Sequence, residues 1–222
     1  MPEVIYNGSD GRLEGRYVHG QGPTPPLALI LHPHPQYGGT MNNRIVHAMF
    51  QMFVRRGFST LRFNFRGVGR SQGAFDHGQG ELRDAAASLD WMQQHNPNSP
   101  IAWVGGFSFG AWIAMQLLMR RPEIQGFICA GLPANMYDFS FLAPCPSSGL
   151  IVHGEHDAVT PTDSVVRLVN KLSQQRGITI DFHTVEGGDH FLADDLDEFE
   201  GVAETYLDRR LQPQPEALSL AR

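Results

Sequence analysis

Cysteine is scarce: Cys129 and Cys145 are the only two in 222 residues. Two thiols cannot make the disulfide framework of a small secreted domain, and this usage fits a reducing compartment. A cationic excess is also missing. Lys and Arg number 17 against 23 Asp and Glu, a formal net charge of −6, which argues against a nucleic-acid binder. The longest purely aliphatic run, Leu27 to Leu31, falls far short of the ~20 residues that a membrane span needs. The opening Met-Pro-Glu-Val-Ile-Tyr has no basic segment leading into an apolar one, so no secretory signal is visible. No internal repeat recurs at a period of roughly 20–50 residues. Together these absences predict a soluble, cytoplasmic protein with no membrane span and no nucleic-acid partner.

What is there describes an ordinary globular chain, with 41% hydrophobic and 18% charged residues. The length favours one generous domain over two, placed at 1–210, with a loose C-terminal tail at 211–222. Glu3 to His19 reads as an antiparallel hairpin around Asn7-Gly8-Ser9-Asp10-Gly11. A strand–helix alternation follows, with strands expected near 27–32, 60–65, 101–105, 126–130, 149–153 and 179–185. Helices are expected near 43–56, 81–94, 109–120, 162–175 and 193–210. The inner strands are continuous apolar runs, the mark of a parallel sheet covered on both faces. The fold class is therefore α/β, a mostly parallel doubly wound sheet, in which ligands bind beyond the carboxyl ends of the strands.

Gly106-Phe107-Ser108-Phe109-Gly110 is a G-x-S-x-G placed between the strand Ile101–Gly105 and an amphipathic helical stretch. A serine on so sharp a strand-to-helix turn needs small neighbours two residues away on either side. The helix N-terminus beneath the hydroxyl then favours developing negative charge. Serine becomes a nucleophile only when a base takes its proton, and the base needs a carboxylate to orient it. Asp157 follows the strand ending at Val152, and His190 follows the strand ending at Val185, both at carboxyl ends. Asp189 and Glu155 are weaker rivals to Asp157.

The order Ser108…Asp157…His190 and its strand-end placement resemble the α/β-hydrolase superfamily over nearly the whole chain. Two further segments resemble a group of small, largely uncharacterised bacterial hydrolases. One is His32-Pro33-His34-Pro35-Gln36-Tyr37-Gly38-Gly39-Thr40-Met41-Asn42-Asn43, the other Phe63-Asn64-Phe65-Arg66-Gly67-Val68-Gly69-Arg70-Ser71-Gln72-Gly73. The resemblance implies an oxyanion hole made by the backbone N–H of Phe109 and that of His34. Pro33 stands where the family usually has glycine, so a donor at Gln36 or Tyr37 stays open. It also implies that Arg66 and Ser71 brace neighbouring loops, and that Asn64 stands where many relatives carry Asp. Lids in this superfamily follow the strand that here ends near Ala130. The gap to the next strand, Gly131 to Ser148, is too short for a cap domain. Its Met136, Tyr137, Phe139, Phe141 and Leu142 either form a small flap over Ser108 or merely cover the sheet. Met136, Phe139 and Phe141, with Gln36 and Tyr37, are the candidate substrate-pocket residues.

His32 and His34, with His153 and His156, raise the alternative of a metal cluster, but no third ligand stands at a recognised spacing. Hydrogen bonding at the strand ends is the expected work of His32 and His153. Gly67-Val68-Gly69 imitates a dinucleotide loop, but no helix starts right after it. No cofactor and no metal are expected. The resulting expectation is a serine hydrolase acting through an acyl-enzyme, a carboxylesterase on small or exposed acyl esters. Thioesterase or peptidase chemistry on the same triad, a metal-dependent hydrolase, and a non-catalytic binding protein of the same fold are the alternatives. Oligomeric state, including a homo-oligomer, is left open.

Overall fold

The computed structural model describes residues 2–212 and builds them into one eight-stranded sheet flanked by five α-helices. Strands β1 (Glu3–Gly8) and β2 (Gly11–Val18) form the expected antiparallel hairpin, and β2 lies antiparallel to β4 (Ser59–Phe63). The remaining pairings are parallel. They run from β4 to β3 (Leu27–Leu31), β5 (Ala102–Phe107), β6 (Ile124–Ala130), β7 (Gly149–Gly154) and β8 (Ile180–Val185). The sheet order β1-β2-β4-β3-β5-β6-β7-β8 makes the chain build outward from β3 to β4, then cross back to β5. The order therefore reverses between β3 and β5, where a doubly wound sheet opens a crevice at its carboxyl edge.

Helices α1 (Arg44–Arg55) and α5 (Leu196–Leu211) cover one face. Helices α2 (Gln79–His95), α3 (Phe109–Leu118) and α4 (Thr162–Ser173) cover the other. Every residue of β3, β4, β5 and β7 is buried, which explains why these strands read as unbroken runs with no alternation. Asn43 starts α1 by accepting the N–H groups of Ile45 and Val46, and Ile45, Met49, Phe50 and Phe53 then face the sheet as one stripe.

Several element ends differ from the sequence expectation, each for a local reason. The strand expected to reach Phe65 stops at Phe63, because the Phe65 N–H leaves the ladder for the His32 ring. Helix α2 starts at Gln79 rather than Glu81, since the Glu81 carboxylate folds back onto the N–H groups of Asp76 and Gly78. Helix α5 starts at Leu196 rather than Ala193. Leu192 takes a left-handed φ of 47°, and Asp189 holds the N–H groups of Phe191 and Ala193 in a turn. The connection from β6 to β7 carries only the single 3-10 turn Ser140–Leu142, so no cap domain is inserted there. No helix among the described residues is long and apolar enough to cross a membrane. Of the expected tail at 211–222, Leu211 ends α5, and residues 213–222 lie outside the described residues.

Candidate active site

The end of β5 and the start of α3 meet at Ser108, whose φ of 54° and ψ of −120° lie in a region that side chains other than glycine avoid. Such strain persists only when the surroundings hold it. The Ser108 N–H donates to Ala130 O at 2.9 Å, and Ser108 O accepts from Ala111 and Trp112. The two glycines of the motif are each required by close packing. A Cβ on Gly106 would overlap the backbone of Gly110 and Ala111, and one on Gly110 would overlap the carbonyl oxygens of Leu31 and His32. The turn thus lies directly against the end of β3.

Asp157 and His190 reach the same place from the edge of the sheet. Asp157 Oδ1 accepts the N–H groups of Val159 (2.8 Å) and Thr160 (2.7 Å), which fixes the carboxylate plane. Asp157 Oδ2 is 2.6 Å from His190 Nδ1, and His190 Nε2 is 3.0 Å from Ser108 Oγ. A carboxylate can only accept, so Nδ1 carries the ring proton and Nε2 is left to accept from the serine hydroxyl. Burial would push the Asp157 carboxyl up. The bonds from His190 and the Thr160 N–H, with the nearby rings of His190 and His153, outweigh this and hold it below the usual carboxylate range. The two supporting loops are tied together: Glu155 N–H donates to Val185 O, His156 N–H to Gly188 O, and Gly187 N–H to the Glu155 carboxylate. Gly131, with φ of 56°, leaves room for the imidazole; a Cβ there would stand 3.1 Å from His190 Cε1.

The loop after β3 approaches from the other side. His32 is completely buried, and its pKa is pushed down to about 4 chiefly by that burial. Its Nε2 accepts the Phe65 N–H at 3.0 Å, so Nδ1 is the donor to Pro33 O at 2.6 Å. The Pro33–His34 peptide is trans, so anchoring its carbonyl on His32 turns the His34 N–H the opposite way. The Gln36 N–H is taken by His34 Nδ1 and the Tyr37 N–H by His34 O. The N–H groups of Phe109 and His34 have no acceptor among the described residues. A serine hydroxyl bonded to an imidazole and followed by an uncommitted amide at a helix N-terminus has the chemistry to attack a carbonyl and hold an oxyanion.

A family model for the alpha/beta hydrolase fold matches residues 33–146. An uncharacterised protein of Rickettsia prowazekii is 52% identical over 211 residues, 93% of this chain and 89% of its own length. The chain belongs to the α/β-hydrolase family. Among solved structures of similar proteins, one is a protein of unknown function from Agrobacterium tumefaciens proposed to be an α/β hydrolase. It is 59% identical with a TM-score of 0.94, the alignment covering 96% of this chain and 100% of that one. Another, from Xanthomonas campestris, is described as an α/β serine hydrolase without a lid. It is 28% identical with a TM-score of 0.86, covering 96% of both chains.

The remaining candidates of this α/β-hydrolase chain divide by burial. Gln36 and Tyr37 are exposed on the loop after β3, and Met136 is exposed on the β6–β7 connection. Phe141 is half-buried and stacks on Phe139, which is buried in the same apolar cluster as Leu142 and Cys145. Tyr137 stacks on Trp112 and meets Phe109 edge-on, so this stretch of the connection covers α3. The Asp189 and Glu155 carboxylates make loop bonds and none to the His190 ring, which bonds Asp157 and Ser108. Of the four histidines that raise the metal alternative, His32 and His153 are buried and bonded to Pro33 O and Thr160 O, whereas His156 is exposed. No group of three or more metal-ligating side chains is assembled among the described residues. Arg66 and Ser71 do brace loops: Arg66 binds Asp84 and Ser9, and Ser71 joins Glu14 N–H to Asn64 O. Asn64 carries an amide because it must donate to Glu14 Oε2 while accepting the Met41 N–H. Sequence reasoning did not single out Phe191 or Gly131, both in contact with His190. Adjacency to the histidine was the available signal for Phe191.

Proposed function

We propose that the protein is a serine hydrolase whose natural chemistry is cleavage of carboxylic esters of small molecules through an acyl-enzyme. The observation that carries this reading is the unbroken hydrogen-bonded line from Ser108 Oγ through His190 to Asp157, with spans of 3.0 and 2.6 Å. Ser108 is the nucleophile and attacks the ester carbonyl as His190 Nε2 takes its proton. Asp157 holds the ring in the right tautomer and stabilises the imidazolium. The backbone N–H groups of Phe109 and His34 receive the oxyanion, and His32 acts on the second of them by fixing the peptide plane. His190 then returns the proton to the departing alcohol, and a water activated by the same ring releases the acyl group.

The test is hydrolysis of p-nitrophenyl esters from acetate to palmitate by wild type and Ser108→Ala. The variant is expected to lose roughly 10³-fold or more in kcat/KM with the fold retained. Equal turnover by both proteins, or none by the wild type on any chain length, would overturn the reading. The second outcome would favour a binding protein on the same fold.

A further inference from the structure

The rim around Ser108 has an uneven chemistry. Tyr37, Met136, Val159 and Phe191, on loops at the carboxyl edge, leave 86%, 51%, 40% and 60% of their surface in solvent. Among the described residues, the only other large hydrophobics so exposed are Ile5 and Leu211. The four bracket the site. The Phe191 ring lies 5.3 Å from that of His190, and the Tyr37 ring 4.6 Å from that of His34, which itself packs 4.9 Å from Phe109. Val159 donates its N–H to Asp157, and its carbonyl is held by Asn135, the neighbour of Met136. Apolar exposure concentrated in one place on a monomer marks a binding surface.

The formal charge carried by the four loops has a single sign. The connections after β3, β6, β7 and β8 (residues 32–43, 131–148, 155–161 and 186–195) contain no lysine or arginine. Glu155, Glu186, Asp189 and Asp194 are exposed on them, and none is paired with a Lys or Arg among the described residues. The connection after β4 carries Arg66 and Arg70, but Arg66 is closed on Asp84 and Ser9, and Arg70 reaches away to Glu3. Arg44, in the first turn of α1, is engaged by Ala193 O.

We infer that this site, read as the serine hydrolase proposed above, takes uncharged esters whose bulky apolar group lies against the exposed rings, and rejects acyl groups borne on polyanionic carriers. An apolar acyl chain or alcohol between Phe191 and Tyr37 removes both rings from water. A phosphate-bearing carrier meets like charges and finds no lysine or arginine on these four loops to replace the water it must shed.

The experiment places one octanoyl group on N-acetylcysteamine and on coenzyme A, thioesters with the same acyl and cysteamine ends to which coenzyme A adds a pantoyl arm and a phosphorylated adenosine, and compares kcat/KM at low and high ionic strength, where only the effect of the phosphates responds to salt. The uncharged thioester is expected to be the better substrate by about tenfold or more at low salt, with the gap narrowing as salt screens the rim. In parallel, Tyr37→Ala and Phe191→Ala are expected to lower the octanoyl-to-acetyl ratio of kcat/KM on p-nitrophenyl esters, chiefly through KM. Cleavage of the coenzyme A thioester as fast as the neutral one at low salt overturns the proposal, as does an unchanged chain-length ratio in both ring variants. If instead Ser108→Ala cleaves every one of these substrates as well as wild type does, the hydrolase reading itself falls.

Discussion

His32 shows how much one buried side chain can impose. Both of its ring nitrogens are spoken for, one by the Phe65 N–H and one by Pro33 O, and it has no exposure to solvent. Because burial lowers its pKa from 6.5 to about 4, the unfolded chain accepts a proton there between those values that the folded chain refuses. The unfolded state binds more protons, so stability must fall as pH drops through that window, by ~3 kcal/mol once below it. Asp157 acts in the same direction further into acid, since a carboxylate held low in the fold loses its stabilising bonds only when it is protonated. Urea unfolding at neutral pH and at about pH 4.5 checks the first effect. His32→Gln, which does not titrate, is expected to show an acid loss smaller by ~2 kcal/mol. Equal losses in both proteins would mean that the ring is not the group that resists the proton.

At the scale of elements, the close contact between α3 and β3 constrains the site tightly. Gly110→Ala drives a methyl into backbone oxygens of Leu31 and His32, which have no flexible end to yield. The expected cost is ~1–3 kcal/mol in stability, with a larger loss in ester turnover than in folded fraction, because the shift separates Ser108 from the loop after β3. Thermal melts alongside kinetics distinguish the two. The same contact explains what sequence could and could not disclose. Strand β3 was legible because burial on both faces leaves Leu27–Leu31 nothing but apolar residues, and the elbow was legible because close backbone packing around the serine demands glycine at fixed offsets. The start of α5 was not legible, since the left-handed Leu192 has no side-chain type that announces it. Nor was the burial of Phe139 beside Leu142, which depends on how a connection of irregular backbone settles on α3 and α4. Polar pairs such as Tyr6 with Ser88, 82 residues apart, carry no local signature at all.

Across the whole molecule, Asp84 joins three segments. Buried in α2, it accepts the backbone N–H and the guanidinium of Arg66 from the loop after β4, and the hydroxyl of Ser9 from the hairpin turn. Arg66 is itself nearly all buried and has no comparable partner, its other carboxylate contact being the exposed Asp10 at 3.5 Å. Asp84→Asn is therefore expected to cost about 3 kcal/mol or more, read by denaturant unfolding, because it strands a buried cation. A loss below about 1 kcal/mol would mean that the hairpin is held by its β2–β4 ladder alone.

The order of the parts along the chain has a further consequence. Ser108 and the loop after β3 lie in the first half, whereas the ring proposed to activate the serine is residue 190, followed only by the rest of its own loop and α5 among the described residues. A ribosome extending this chain completes the turn at Ser108 some eighty residues before the imidazole exists, since 82 positions separate the two. Domains assemble from the N-terminus as they are made. On the proposed mechanism the hydroxyl therefore spends that interval without its base, and the emerging polypeptide stays chemically silent toward its surroundings until the fold is nearly whole.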